Sequence, residues 1–301
     1  MRVWLVGILL LLQVTISVRT ELVAVPVSVT AAHGQRVSGL TRENFRVFED
    51  GRLQPIAVFH HGDAPVSVGL IVDRSQSMRA KGQALAAAVS AVLRLSRADD
   101  ELFGVAFNDR ASLVLPAGQS FTSDARALSA ALTGVRAAGR TALYDGVAEG
   151  LEHLQSGRTG KHALVVVSDG GDNASVRTYA RVLDLARRSD AVIYAVGLLA
   201  ASGGEAEENS GLLSQLCRDT GGIAYFPRTA DEITAMSTEV VRDLRDQYTL
   251  GFVPTERADR RAFRAIDVKV NAPGHGRLHV RTRAGYFASA DTGRQANRNR
   301  P

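Results

Sequence analysis

Residues 66–78 read VSVGLIVDRSQSM, an apolar run that stops abruptly at an aspartate, Asp73, followed by two serines, Ser75 and Ser77. A mostly apolar run without polar alternation suits a strand covered on both faces, as strands of a parallel sheet are. The polar end calls for a separate reason: catalysis, phosphate binding, metal binding, or capping of the helix that follows.

Outward from this stretch, residues 102–107, 112–115, 163–167, 191–199 and 223–226 are further strand-like runs, ALVVV at 163–167 being the clearest. Between them Leu85, Val89, Val92 and Leu93 share one helical face. So do Leu143, Val147, Leu151 and Leu154, and likewise Ile233, Met236, Val240 and Leu244. Shorter helices are expected over 123–132, 175–188 and 210–217. The alternation predicts an α/β fold, a doubly wound and mostly parallel six-stranded sheet over residues 64–246.

The flanks follow another grammar. ELVAVPVSVT (21–30) alternates with period two, and NFRVFEDGRLQPIAVF (44–59) places Asp50-Gly51 between two strand-like runs, the signature of a tight hairpin. QYTLGFVP (247–254), FRAIDVKV (263–270) and LHVRTRAGYF (278–287) read as three more strands. A sheet of two or three strands is marginal alone. The β-rich segments 20–63 and 247–289 are therefore expected to form one accessory sandwich into which the α/β domain is inserted, with 290–301 a disordered tail.

At 301 residues and 45% hydrophobic content the chain can bury a large core and a smaller one. Met1-Arg2 followed by the apolar run 3–18 has the form of a signal peptide or N-terminal anchor, shorter than the roughly 20 apolar residues of a membrane span. An extracytoplasmic body is expected: periplasmic, envelope-bound or secreted. The single cysteine, Cys217, excludes an intrachain disulfide framework and belongs on a buried helix face. The pI near 9.7 gives no argument for nucleic acid. Four arginines, Arg2, Arg294, Arg298 and Arg300, lie in the leader and tail, and the body between is close to neutral.

In doubly wound sheets, functional groups gather beyond the carboxyl ends of the strands, where strand order reverses. DRSQS (73–77) and SDGGDN (168–173) stand at two such ends, and GRTALYDG (139–146) puts Thr141 at a helix start. Two carboxylates, Asp73 and Asp169, and three hydroxyls, those of Ser75, Ser77 and Thr141, would then meet on three loops. An all-oxygen set of this kind suits a hard cation such as Mg²⁺, with Mn²⁺ or Ca²⁺ as substitutes. So little ligand charge leaves the ion seeking an outside anion, and a partner protein presenting a carboxylate is the natural one.

Asp73-x-Ser75-x-Ser77, Thr141 and Asp169 together resemble the metal-ion-dependent adhesion site of von Willebrand factor A-type domains, which are six-stranded doubly wound modules that bind proteins through a divalent cation. The resemblance implies that Ser75, Ser77 and Thr141 are direct or near-direct ligands, and that Asp73 and Asp169 act mainly through waters. The flanks resemble a group of exported bacterial proteins with a related domain, known best from acidobacteria. Family loops often read Asp-x-Ser-Gly-Ser and place Gly-Gly before the threonine; here Gln76 and Arg140 intervene. Arg74 and Arg140 are expected to form a rim favouring an acidic partner, or else an arginine replaces the ion.

Competing readings follow from the same residues. Serine and aspartate also cap helices, Asp172 and Asn173 suit a polar turn better than an extension of the site, and Asp145 suits a helix dipole or a loop contact. The histidines have no zinc-ligand spacing. A Mg-dependent hydrolase would use Asp73 with Lys161, Asp169 and Asp172, but Ser75 stands where its second carboxylate is needed, and no nucleophile-elbow or phosphate-loop motif occurs. A non-enzymic binding module is expected, with a metal-free structural scaffold as the alternative.

Overall fold

A computed structural model describes residues 22–62, 64–199, 204–255 and 262–287. The expected leader and tail lie outside these residues. The chain opens with four strands: β1 (Val23–Thr30), β2 (Phe45–Glu49), β3 (Arg52–Gln54) and β4 (Ile56–His60). Asp50 and Gly51 join β2 to β3 with φ of 47° and 79°. Two successive left-handed residues match the twist of a tight hairpin, and Asp-Gly tolerates them.

The α/β part then runs β5 (Val66–Asp73), α1 (Gly82–Leu93), β6 (Glu101–Phe107), β7 (Ala111–Leu113), α2 (Ala125–Gly134), α3 (Leu143–Leu154), β8 (Lys161–Ser168), α4 (Tyr179–Arg188), β9 (Val192–Gly197), α5 (Gly204–Thr220), β10 (Ala224–Tyr225) and α6 (Ala230–Asp246). Its six strands are ordered β10-β9-β8-β5-β6-β7, parallel except for the edge strand β7. Every residue of β5 is buried, as the uninterrupted apolar run requires. Leu70, Val72, Val165 and Val167 face Leu85 and Val89 of α1 and Leu244 of α6. Ile71, Val105 and Val166 face Val147 and Leu151 of α3 and Cys217 of α5.

Four more strands close the chain: β11 (Tyr248–Phe252), β12 (Phe263–Val270), β13 (His279–Thr282) and β14 (Gly285–Phe287). With β1–β4 they build two antiparallel sheets, β13-β1-β11-β4 and β14-β12-β2-β3, around Val25, Val27, Phe45, Val47, Tyr248, Leu250 and Val268. The first four and last four described strands therefore share one core. LHVRTRAGYF is two strands rather than the one expected, because the chain leaves the first sheet at Arg283. That guanidinium, 6% exposed, donates to the carbonyls of Gly285 and Arg187, and Ala284 N–H turns to Asp219 O.

The sandwich is fastened to the α/β part through polar groups. Asp243 of α6 accepts from Tyr194 Oη of β9 at 2.7 Å and from Arg281 Nη2 of β13 at 2.7 and 2.8 Å. Where the chain crosses between the parts, the Lys161 ammonium donates to the carbonyls of Gln247, Arg245 and Gly62 at 3.1, 3.2 and 3.4 Å. Among the described residues no helix is long and apolar enough to cross a membrane.

Candidate functional site

Strand order reverses between β5 and β8, which pair in parallel up to Val72 and Val167. Asp73 is the last residue of β5 and Ser168 the last of β8, so both emerge at the switch point. Asp73 is fully buried. Its Oδ1 accepts from Ser75 N–H at 2.8 Å and its Oδ2 from Ser168 Oγ at 2.6 Å. Burial pushes the Asp73 carboxyl upward and the nearby Asp169 charge adds to this, while the Ser168 and Ser75 bonds hold it down. A buried carboxylate beside a second one is a place where positive charge is welcome.

A 3-10 turn, Gln76–Lys81, follows Ser75. Ser75 makes no capping bond to it. Its Oγ instead lies 3.1 Å from Ser77 Oγ. Adjacent ligands of an octahedral Mg²⁺, each at about 2.0–2.1 Å, are about 3.0 Å apart, so the hydroxyl pair has the spacing of one octahedral edge. The donor chemistry and this spacing fit a small hard divalent cation. Among the described residues no group of three or more His, Cys, Asp and Glu could hold a metal, so any ion here would depend on hydroxyls.

Thr141 is brought in by its loop. Gln76 N–H donates to Gly139 O at 3.0 Å and Ala138 N–H to Arg74 O at 2.9 Å, tying residues 138–141 to the serine loop. Gly139 has φ of 79°, and a Cβ there would lie 2.1 Å from Asp109 Oδ2, so only glycine fits. Asn173 Oδ1 accepts from Thr141 N–H at 2.8 Å, and Asn173 N–H returns to Thr141 O at 2.9 Å. The first N–H groups of α3 are capped from the same loop, Tyr144 by Asp172 Oδ1 and Asp145 by Ser175 Oγ. Asp145 answers by accepting from Val176 and Arg177 N–H, a loop contact. Asp172 and Asn173 thus do more than make a polar turn: they lock the Thr141 and Asp169 loops together.

One sequence expectation needs correction. Arg74 is not on a rim. It is 9% exposed, and its Nε and Nη2 donate to Val135 O and Thr133 O at 2.6 and 3.1 Å. These carbonyls close α2, where a cation is favoured. Lys161 opens β8 and Asp169 follows its last residue, about 26 Å away at strand rise, so the competing hydrolase set does not assemble. Arg140 does stand in the open beside Thr141, its side chain 67% exposed and its Nε 3.4 Å from Asp109 Oδ1.

Sequence reasoning missed two participants. Ser168 was visible only as the residue before Asp169. Lys81, eight residues past Asp73, donates from Nζ to Asp169 Oδ2 at 3.0 Å, a contact that no local spacing announces.

Residues 68–171 match the family described as von Willebrand factor type A domain. No curated protein matches the chain. A von Willebrand factor type A protein from Catenulispora acidiphila is similar in structure, with TM-score 0.52, 13% identity, and coverage of 83% of this chain and 75% of that one. A mutant of the PilB minor pilin from Streptococcus sanguinis gives 0.50 at 13% identity, covering 65% and 64%. Proximal thread matrix protein 1 from the mussel byssus gives 0.50 at 17%, covering 65% and 51%. Identities this low speak for fold alone, and with the family match and the strand order they make the α/β part of this chain a von Willebrand factor A-type fold.

Proposed function

We propose that the protein is an exported, divalent-cation-dependent binding module. Its ion, Mg²⁺ or in substitution Mn²⁺ or Ca²⁺, is held by Ser75, Ser77 and Thr141 with Asp73 and Asp169 behind them, and its partner is a protein presenting a carboxylate. The observation that carries this reading is the Ser75–Ser77 hydroxyl pair, 3.1 Å apart, next to buried Asp73 at the β5/β8 switch point. When bound, the ion would supply a Lewis-acidic position for an outside anionic oxygen. The chain's own residues do the rest. Ser168 and Ser75 N–H orient Asp73, Asn173 fixes Thr141, and exposed Arg140 offers positive charge to an acidic surface.

The test is calorimetric titration of the full chain with Mn²⁺, alongside Asp73→Ala. One saturable site, lost in the variant while the fold persists by circular dichroism, is expected. Absence of heat at millimolar ion would sink the reading. Export is tested separately, by mass measurement of the mature N-terminus from fractionated source cells.

A metal-free scaffold remains as second reading because one observation favours it: a cation of the chain's own, Lys81, already lies on Asp169. The arginine expected in that role is not the residue that fills it.

A further inference from the structure

We infer that Lys81 is a built-in competitor for the divalent ion, a tethered cation that holds Asp169 and that ion binding has to displace. The inference rests on the divalent-ion reading above. Lys81 Nζ lies 3.0 Å from Asp169 Oδ2, with the two side chains 23% and 14% exposed. The pair is thus largely withdrawn from solvent, where charges interact more strongly than on an open surface.

Two features make this more than a chance surface pair. Lys81 closes the same six-residue turn that carries Ser77, and that turn is pinned by fully buried Met78 and by the Gln76–Gly139 bond. One short element therefore presents both a candidate ligand and the competing charge. Asp169 is held from behind as well, its carbonyl accepting from Asn209 Nδ2 of α5 at 3.2 Å. The backbone that carries the carboxylate is anchored, and the lysine, on a flexible four-carbon stem, is the part able to leave.

Charge fixes the direction of the effect. With both carboxylates ionised, Asp73 and Asp169 carry two negative charges, and Lys81 offsets one of them. A divalent ion entering beside the lysine makes the site positive overall; if the lysine swings away the site is neutral. Either way Lys81 opposes the ion, and an added partner carboxylate relieves the excess. Ion and partner should therefore bind interdependently, the ion only weakly when alone.

The experiment is Mn²⁺ titration of the full chain by calorimetry for the wild type, Lys81→Met and Lys81→Arg, with thermal melts in EDTA and in saturating Mn²⁺. Removing the charge is expected to tighten Mn²⁺ by about tenfold, while Lys81→Arg stays near wild type. In EDTA, Lys81→Met should melt below the wild type, and Mn²⁺ should close or reverse that gap. Equal or weaker Mn²⁺ binding by Lys81→Met, with the wild type binding normally, overturns the competitor role and leaves the ion site standing. Failure of all three proteins to bind Mn²⁺ overturns both.

Discussion

Ser168 Oγ donates to Asp73 Oδ2 at 2.6 Å, joining the last residues of the two central strands. The bond does two things at once: it satisfies a buried carboxylate oxygen and fixes the orientation of the group around which the candidate ion site is built. Ser168→Ala removes the donor and leaves that oxygen unpartnered in a buried place, which costs about 1–3 kcal/mol. Urea unfolding should show the loss, and Mn²⁺ affinity should fall with it. An unchanged midpoint would mean that the bond is replaced by another donor.

The central sheet was legible because burial on both faces leaves no room for polar alternation, and the stretches 70–72 of β5 and 163–167 of β8 announce this. The hairpin at Asp50-Gly51 was legible because turn chemistry is local. Arg74 was not. Its neighbours in sequence are site residues, but its partners, Thr133 and Val135, lie some sixty residues on and become neighbours only when α2 packs beside β6. Lys81 on Asp169 was hidden for the same reason, eighty-eight residues apart in the chain. Chemistry confined to strand ends can be read from spacing, whereas the second partner of a long side chain is decided by packing.

Asp243 gathers Tyr194, Arg281 and Ser28, and so connects α6 and β9 to strands β1 and β13 of the sandwich. It is 5% exposed. Removing one member of a buried ion pair strands the other, a loss of about 3 kcal/mol. Asp243→Ala should lower the unfolding midpoint by far more than Arg181→Ala, whose side chain is 59% exposed and pairs with a helical neighbour, Asp184. Similar losses in the two variants would show that the two parts are not held together here.

The pair of His162 Nδ1 and Asp190 Oδ1, 2.8 Å apart, gives stability a pH dependence. The Asp190 bond raises His162 above its ordinary 6.5 although burial works against this. For Asp190 burial pushes upward, but the His162 bond and charge prevail and hold it below 3.8. The histidine's contribution is full below the unfolded value of about 6.5 and is lost as pH rises through its higher folded value. The aspartate's is present above about 3.8 and is lost as pH falls through its lower folded value. The pair should therefore help most between about pH 4 and 6.5. His162→Gln is expected to lose more stability at pH 5.5 than at pH 8 in urea titrations; parallel curves at both pH values would contradict it.

Cys217 is fully buried on the inner face of α5, and burial pushes its thiol well above the ordinary range. A protonated, inaccessible thiol does not attack disulfide reagents. Native protein should release no chromophore from Ellman's reagent at pH 8, and one equivalent per chain should appear in denaturant. A full equivalent from folded protein would place Cys217 at the surface.

Arg74 and Arg140 carry the same charge on two loops that hydrogen-bond to each other, but one is buried and the other exposed. Arg74 is spent on the Thr133 and Val135 carbonyls at the end of α2, so Arg74→Met should cost about 1–2 kcal/mol of stability through loss of charge-assisted bonds. It should leave the salt dependence of partner binding alone. Arg140 is exposed and shares Asp109 only at 3.4 Å, so Arg140→Glu should leave the unfolding midpoint within about 0.5 kcal/mol of wild type. Its effect should appear instead on an acidic partner, as slower association that becomes less different from wild type as salt is raised, because rim charges steer encounter and are screened. Surface plasmon resonance at two salt concentrations, paired with urea unfolding of both variants, separates the roles. If Arg140→Glu unfolds easily and Arg74→Met does not, the assignment is reversed.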